Sequence, residues 1–209
     1  MIKGFTMVSE IDTKRIRAET PGLKNGVHLM AAGSALMPQC VVDAVVKHIH
    51  LEADIGGYEA AEQQEDQLGQ VYDSVARHIG AKRHEIALME DATHAWCNIF
   101  YALPLKPGSR IVTCEAEYAA NYVAFLQRAK RDNLRIDVVP SDASGALDVA
   151  ALEARMGEDV GLISLTWVPT NGGLINPAAE VGKVARKHNV PYLLDACQAL
   201  GQMRIDVTE

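Results

Sequence analysis

The sequence lacks long apolar runs and has no surplus of basic residues. No stretch reaches the roughly 20 apolar residues that a membrane-spanning helix needs, and the N-terminal segment lacks the apolar stretch of a secretory signal peptide. We therefore expect a cytoplasmic protein with no membrane partner. With 20 Lys and Arg against 27 Asp and Glu, the formal net charge is -7. This balance argues against nucleic acid as a partner, because no cationic surplus is present to neutralise phosphates.

The sequence motifs of metal and nucleotide binding are also missing. The four cysteines are widely scattered without a Cys-x-x-Cys pair, so no zinc or dithiol site is predicted, and we interpret them as small buried hydrophobic residues. The seven histidines form no ligand set. Neither Gly-x-Gly-x-x-Gly nor Gly-x-x-x-x-Gly-Lys-Ser/Thr occurs. An α/β nucleotide-binding domain therefore remains an alternative without a phosphate-loop motif to support it.

The 209 residues, 48% hydrophobic and 22% charged, are typical of a globular protein with one large domain. Residues 1–26 are polar and mixed, and we interpret them as an N-terminal arm before a large domain at 27–209. One helix is predicted after Pro38 and a second one that ends at Gly80. Predicted strands and helices then alternate. The strands cover 85–89, 110–114, 135–139, 160–166 and 190–195, and the helices cover 94–105, 118–131, 147–156 and 177–188.

This alternation predicts the fold class. Strands that alternate with helices imply parallel pairing with right-handed crossovers. Strands of nearly continuous apolar character are typical of sheets that are covered on both faces. We therefore expect an α/β fold, a three-layer α/β/α domain with a mostly parallel sheet. Ligands of such sheets gather beyond the carboxyl ends of the strands, so polar residues that follow a strand are candidates for a site.

The last predicted strand ends in an acid, Asp195. A carboxylate at the end of an apolar strand is unfavourable to bury unless it is paired, so it requires a cationic partner. The alternative is a structural role, as a helix N-cap or as a carboxylate that accepts bonds from backbone amides. Gln198 follows three residues later, close enough to reach the same ligand.

Two further segments follow predicted strands. Residues 90–95 place small residues and the hydroxyl of Thr93 at a helix N-terminus, where free amides and the helix dipole favour an anion such as phosphate. The alternative is that Thr93 caps its own helix. Residues 115–121 contain Tyr118, whose ring could stack on a planar cofactor, or pack under a loop instead. A fourth segment, residues 168–177, has polar side chains and flexible backbone where binding loops are common, or it is a simple turn.

Together and in this order, the four segments resemble the class V aminotransferase family of fold-type I pyridoxal-phosphate (PLP) enzymes. That family includes cysteine desulfurases, selenocysteine lyases, isopenicillin-epimerase-like proteins and ergothioneine-pathway C–S lyases. The resemblance runs from about residue 27 to residue 207. Its most specific segment, residues 192–207, is similar to the family's Asp-x-x-Gln-x-x-Gly stretch. Residues 55–61, Ile-Gly-Gly-Tyr-Glu-Ala-Ala, are similar to the epimerase-like and ergothioneine-lyase-like branch.

The resemblance implies a PLP-binding large domain and a role for three residues near the cofactor ring. Asp195 would bond the protonated pyridine nitrogen and keep the ring an electron sink. Gln198 would lie near the phenolic oxygen of the ring. Tyr118 occupies the place where desulfurases carry a ring-stacking histidine.

The resemblance also implies a phosphate site and a loop near the ring. Thr93 would bind the phosphate together with the backbone amides of Ala92 and Thr93. Thr170 falls where many relatives place an asparagine near the phenolic oxygen, and Asn171 is the next candidate if the loop shifts by one residue.

The lysine that forms the Schiff base in this family does not occur in a matching context. The resemblance implies that it lies beyond Glu209, so no catalytic residue is assigned within the chain, and the family's small C-terminal domain is missing as well. We therefore interpret the chain as a fragment. The complete protein would act on a small amino-acid substrate through an external aldimine and an α-carbanion, as a C–S lyase, aminotransferase or epimerase, and would form a homodimer. The alternative is a non-catalytic or PLP-free α/β module.

Overall fold

The computed structural model describes residues 11–170 and 173–208. The chain forms two compact units, one within Met1–Val71 and the other within Tyr72–Glu209. In the described part of the chain, every helix is too short or too polar to span a bilayer. The predicted division into an arm at 1–26 and a domain at 27–209 stays a prediction.

The first unit is helical. Its helices are α1 (Thr13–Ala18), α2 (Gln39–Ile55), α3 (Gly57–Gln63) and the first part of α4 (Glu65–Ile79). Gly56 separates α2 from α3 with a positive φ of 94°, and a Cβ at this position would lie 2.6 Å from the Glu59 carboxylate. Glycine is therefore needed here, and the Gly-Gly pair ends α2 as the sequence predicts.

The second unit carries the sheet. Its helices are α5 (Ala92–Ala102), α6 (Ala119–Asp132), α7 (Val149–Arg155) and α8 (Ala178–His188). Its strands are β1 (Arg110–Cys114), β2 (Arg135–Val139), β3 (Val160–Thr166) and β4 (Tyr192–Asp195). The four strands are all parallel, in the order β2-β1-β3-β4. The predicted α/β class with a parallel sheet is confirmed.

Both faces of the sheet are covered, because alternate strand residues point to opposite sides. Ile111 and Leu162 belong to a core with α5 and α6, in which Trp96, Phe100 and Phe125 pack as an aromatic cluster. The next residues along the strands face the other core, with α7 and α8. Its fully buried members include Val112, Ile163, Leu165, Leu152 and Val181. The sheet and the helices on its two faces form the three layers that the apolar strands predict.

The strand predicted at 85–89 is wrong. Arg83–Glu85 forms a 3-10 turn, and Ile86 continues in extended backbone with φ -101° and ψ 129°. No described strand pairs with this segment, and Leu88 and Met89 are 46% and 43% exposed. A strand requires a neighbouring strand to which it is hydrogen-bonded. Residues 86–89 are apolar and lack such a neighbour among the described strands, so they do not form a strand.

An ion cluster lies at the amino edge of the sheet, where the strands begin. The Arg110 guanidinium donates to Asp159 at 2.6 and 2.8 Å and to Asp137 at 2.6 Å. Arg110 also donates to the Arg155 carbonyl at 2.8 Å. Hydrogen bonds from Arg110, and then from Arg135, hold the pKa of the Asp159 carboxyl well below its usual range. These charges are satisfied by one another, which indicates a structural role for this edge.

Candidate functional site

The predicted site residues come from the opposite edge of the sheet, where the strands end. Asp195, the last residue of β4, pairs in register with Thr166, the last residue of β3. The segment after β1 reaches the same edge, because the backbone N–H of Tyr118 donates to the Thr166 hydroxyl at 3.1 Å. The structure therefore brings Asp195 and Tyr118 to one edge through Thr166.

Asp195 is half-buried, and both of its carboxylate oxygens accept hydrogen bonds. Oδ1 accepts the backbone N–H of Cys197 at 3.0 Å, and Oδ2 accepts the side-chain amide of Asn121 at 2.9 Å. The bond from the Cys197 backbone N–H is the structural role that the sequence left open. An ionised carboxylate has about four acceptor positions, so these two bonds fix its plane and leave capacity for another donor.

Glu117 anchors the segment after β1, and sequence reasoning did not select it. Its carboxylate accepts from the Thr113 hydroxyl at 2.8 Å, from the Tyr118 backbone N–H at 2.8 Å and from the Asn121 amide at 3.1 Å. The Thr166 hydroxyl donates to it as well. Glu117 thereby ties the ends of two strands to the start of α6.

Tyr118 is the N-cap residue of α6, and its side chain makes no capping bond. Its backbone N–H is held by Glu117 and Thr166, whereas its side chain is 43% exposed. The alternative of a ring packed under a loop does not fit this exposure. Stacking of the Tyr118 ring on a planar cofactor stays a prediction.

Ala92 and Thr93 are the first two residues of α5, and both are exposed. The N-cap is Asp91, whose Oδ1 accepts the backbone N–H of His94 at 2.8 Å. The alternative that Thr93 caps its own helix is therefore wrong. Its hydroxyl belongs to the first turn, where backbone N–H groups lack partners within the helix.

The direction of α5 decides which edge its N-terminus reaches. Arg128, near the end of α6, donates to the carbonyls of Phe100 and Leu103 at the end of α5. Helix α6 follows β1 and runs from the carboxyl edge to the amino edge, so α5 runs the same way. Its 11 residues span about 16 Å, which places Ala92 and Thr93 at the carboxyl edge.

A histidine–carboxylate pair lies beside Thr93. His94 Nδ1 and Asp91 Oδ2 are 2.7 Å apart. The hydrogen bond that His94 donates to the Asp91 carboxylate raises the pKa of His94, and the bonds that Asp91 accepts from the His94 backbone and ring lower the pKa of Asp91. Protonated His94 and ionised Asp91 form a neutral pair, so any attraction of this turn for an anion comes from its free backbone N–H groups and the helix dipole.

Asp91→Asn is expected to return the His94 pKa toward its ordinary value, because asparagine keeps the N-cap and removes the charge. The stability that protonated His94 adds to the fold is fully present below its ordinary pKa and is lost as the pH rises through its raised pKa. The stability that ionised Asp91 adds is fully present above its ordinary pKa and is lost as the pH falls through its lowered pKa. The pair is thus complete between about pH 4 and pH 6.5. An NMR titration of the histidine ring protons measures the change, and an unmoved His94 titration would contradict the pairing.

The loop after β3 is closed at its base by Asn176, which is 1% exposed. Its side chain donates to the Thr166 carbonyl at 2.7 Å and accepts the Leu147 backbone N–H at 3.0 Å. Thr170 is exposed in this loop, and Asn171 lies outside the described residues. The loop thus starts beside Asp195, whose carbonyl accepts the Trp167 backbone N–H at 2.9 Å.

Gln198 follows β4 in a turn and is half-buried. Its carbonyl accepts the Gln202 side-chain amide at 2.8 Å. The turn follows directly after Asp195, the last residue of β4. Whether its side chain contacts a cofactor ring stays a prediction.

Two cysteines differ from their interpretation as buried residues. Cys114 is buried, and burial raises the pKa of its thiol to about 12, so it is uncharged at neutral pH. Cys40 and Cys197 are exposed, which the sequence did not predict. Burial, and then the Asp195 charge, raise the pKa of Cys197. Within 11–170 and 173–208, no group of three His, Cys, Asp or Glu could hold a metal ion.

Sequence reasoning missed Glu117, Asn121 and Asn176. The first two lie in the segment 115–121 that the sequence singled out, but only Tyr118 was selected from it. A signal for Asn121 is its helical spacing with the buried residues Ala124, Phe125 and Arg128, because a polar residue on an inward face needs a partner.

The sequence model of the family described as Aminotransferase class-V matches residues 27–209. A probable cysteine desulfurase of Methanothermobacter thermautotrophicus is 26% identical over 198 residues, which are 93% of this chain and 49% of that protein. The chain spans about half the length of the curated relatives it matches.

Solved structures give the same picture. The apo structure of cysteine desulfurase from Thermococcus onnurineus NA1 has a TM-score of 0.85 at 22% identity, covering 94% of this chain and 50% of that one. A mutant of C-DES with glycine covalently linked to its PLP cofactor has a TM-score of 0.83 at 20% identity, covering 92% and 52%. These likenesses establish the fold.

Proposed function

Because the chain belongs to the aminotransferase class-V family, we propose that it forms the cofactor-binding part of a PLP enzyme that cleaves the C–S bond of a small amino acid. One observation carries this proposal. The Asp195 carboxylate is held at the end of β4 by the Cys197 backbone and the Asn121 side chain, with acceptor capacity left over. A carboxylate fixed in this way suits the protonated nitrogen of a pyridine ring.

The other groups at this edge fit the rest of the cofactor. The first turn of α5, with the Thr93 hydroxyl and the amides of Ala92 and Thr93, suits the phosphate. The exposed ring of Tyr118 suits stacking on the pyridine face, and we assign Thr170, Asn171 and Gln198 to the surroundings of the ring's phenolic oxygen.

When bound, PLP supplies an electron sink for the substrate's α-carbon. The residues of this chain bind and orient it. Asp195 would keep the ring nitrogen protonated, since a nearby negative charge favours the charged form of its partner. The first turn of α5 would hold the phosphate, and Tyr118 would set the ring plane.

The choice of C–S cleavage rests on the relatives. The matched proteins are named cysteine desulfurases, and one solved complex joins the cystine C–S lyase C-DES to its product cysteine persulfide. We therefore favour cysteine or a related sulfur amino acid as the substrate over transamination or epimerisation. Tyr118 stands where desulfurases carry a histidine, and this difference is compatible with a C–S lyase of the epimerase-like and ergothioneine-lyase-like branch.

The lysine that holds the cofactor is expected beyond Glu209. Lys187 is unsuited to this role, because its Nζ binds Glu153 at 2.5 Å and α8 ends near the amino edge. A homodimer, a cytoplasmic location and a cofactor domain at 27–209 belong to the same proposal.

Binding of pyridoxamine 5′-phosphate tests the site, because this form of the cofactor needs no lysine. Thr93→Val keeps the shape of the side chain and removes the hydroxyl. It is expected to weaken binding by about 10-fold, since a hydrogen bond to a charged group contributes about 1.5–3 kcal/mol. Fluorescence titration of the purified protein measures the affinity.

Thr93→Ser is the matched control, because it keeps the hydroxyl, and its affinity should equal that of the unchanged protein. Equal affinity of the valine variant would remove Thr93 from the phosphate site. If the unchanged protein bound no pyridoxamine 5′-phosphate, the cofactor proposal itself would be wrong.

A further inference from the structure

We propose that Asn121 is a positioning residue that fixes the Asp195 carboxylate for the ring nitrogen of the cofactor, and that Glu117 fixes the Asn121 amide. This inference rests on the function proposed above and adds two residues to it. Neither side chain needs to touch the cofactor, because each acts through the next.

Asn121 uses one amide group to join two carboxylates. Its Nδ2 donates to Asp195 Oδ2 at 2.9 Å and to Glu117 Oε1 at 3.1 Å. An amide nitrogen carries two hydrogens, so both are used. With the amide reversed, its oxygen would face two carboxylates without a donor. Asn121 is 3% exposed, so water does not compete for these bonds, and the amide has a single orientation.

Glu117 is the fixed point of this arrangement. The hydroxyls of Thr113 and Thr166 and the Tyr118 backbone N–H all donate to it. These donors lie on β1, on β3 and at the start of α6, so the Glu117 carboxylate cannot turn without breaking bonds to three elements. Asn121 passes this orientation on to Asp195 on β4.

The arrangement also has an electrostatic consequence. Two carboxylates share one neutral donor, and among residues 11–170 and 173–208 neither has a cationic side chain within ion-pair distance. Neighbouring negative charges favour the protonated form of a basic group that binds beside them. Glu117 therefore adds to the preference for a protonated ring nitrogen, although Asn121 lies between Glu117 and Asp195.

A purely structural role, in which Asn121 only ties α6 to the sheet, makes a different prediction. It predicts that substitution lowers stability and leaves the recognition of the ring nitrogen unchanged. The two roles are separated by the ratio of affinities for pyridoxamine 5′-phosphate and its 1-deaza analogue, which has carbon in place of the ring nitrogen.

Asn121→Leu, which keeps the branching of the side chain but has no hydrogen-bonding atoms, is expected to lower this ratio by about 10-fold, the value of one hydrogen bond to a charged group. Asn121→Ser, whose hydroxyl has one hydrogen and cannot bridge both carboxylates, should lower it too, which provides a second variant if the leucine protein does not fold. In an Asp195→Ala background the leucine substitution should change the ratio less than about twofold. Gln127→Leu, on the exposed side of α6, is the control and should leave the ratio unchanged.

An unchanged ratio in both Asn121 variants, with lower stability, would overturn the positioning role and leave the proposed function intact. If the unchanged protein bound both compounds equally, Asp195 would not recognise the ring nitrogen. The proposed function would then fail first, and the role of Asn121 with it.

Discussion

Replacing Arg128 by methionine is expected to lower the free energy of unfolding by about 3 kcal/mol. Arg128 is 4% exposed, and its guanidinium donates to the backbone carbonyls of Phe100 and Leu103. These carbonyls lie at the end of α5, where the last carbonyls of a helix have no N–H donors within the helix. The guanidinium also lies 5.2 Å from the centre of the Phe100 ring. Arg128 is thus the donor that closes the end of this helix.

The size of the loss follows from what methionine leaves behind. A buried carbonyl without a donor destabilises a protein by about 1–3 kcal/mol, and two carbonyls lose their partner. Methionine fills much of the same volume, so no large cavity adds to the effect.

Arg131→Met is the matched control. Arg128 and Arg131 both bind the Asp132 carboxylate, at 2.9 and 2.6 Å, but the Arg131 side chain is 60% exposed. Exposed ion pairs contribute little to stability. Arg131→Met should therefore lower the free energy of unfolding much less than Arg128→Met does. Urea unfolding of the three proteins measures the difference. Equal losses for the two variants would show that the ion pair with Asp132, rather than the closure of α5, is what matters.

Asp195→Ala is expected to lower the turnover of a sulfur amino acid by about 100-fold in the complete protein. A hydrogen bond to a charged group contributes up to about 3 kcal/mol, which is about 100-fold in rate. On the proposed function, the variant would leave the ring nitrogen without a carboxylate partner, and the ring would withdraw electrons less strongly from the substrate. The loss should persist at saturating cofactor, because it concerns the chemistry and not only the binding.

Asp142→Ala is the control for this experiment. Asp142 lies in the turn after β2, at the same edge of the sheet, and its carboxylate accepts from the Ser144 backbone and hydroxyl. Its removal takes away a carboxylate of the same edge without touching Asp195, and turnover should stay unchanged. Sulfide or persulfide release measures both variants. Full activity of the Asp195 variant would contradict its proposed role.

The fold could be predicted where a signal is local. Residues 110–114 and 160–166 are apolar on both faces, and this property by itself indicates strands of a covered parallel sheet. Residues 85–89 have a similar local pattern and form no strand. Pairing depends on residues distant in the sequence, and a local pattern contains no information about them.

The site was predictable to the same extent. Asp195 ends a strand and Tyr118 follows one, and the strand ends of a parallel sheet meet at one edge, so their neighbourhood could be inferred. The bonds that hold them could not. Asn121 reaches Asp195 across 74 positions of the chain, and its contact depends on the direction of one helical side chain relative to a strand five elements later.

The ion cluster around Arg110 has a consequence for how this protein can change over generations. Arg110 and Cys114 are the two ends of β1, and a strand of five residues spans about 16 Å. Substitutions farther apart than about 10 Å act nearly independently on stability. The amino edge can therefore secure the scaffold while the loops at the carboxyl edge accumulate changes. Such a separation makes the scaffold tolerant of new specificities, because substitutions in a loop at the carboxyl edge leave the ion pairs at the amino edge intact.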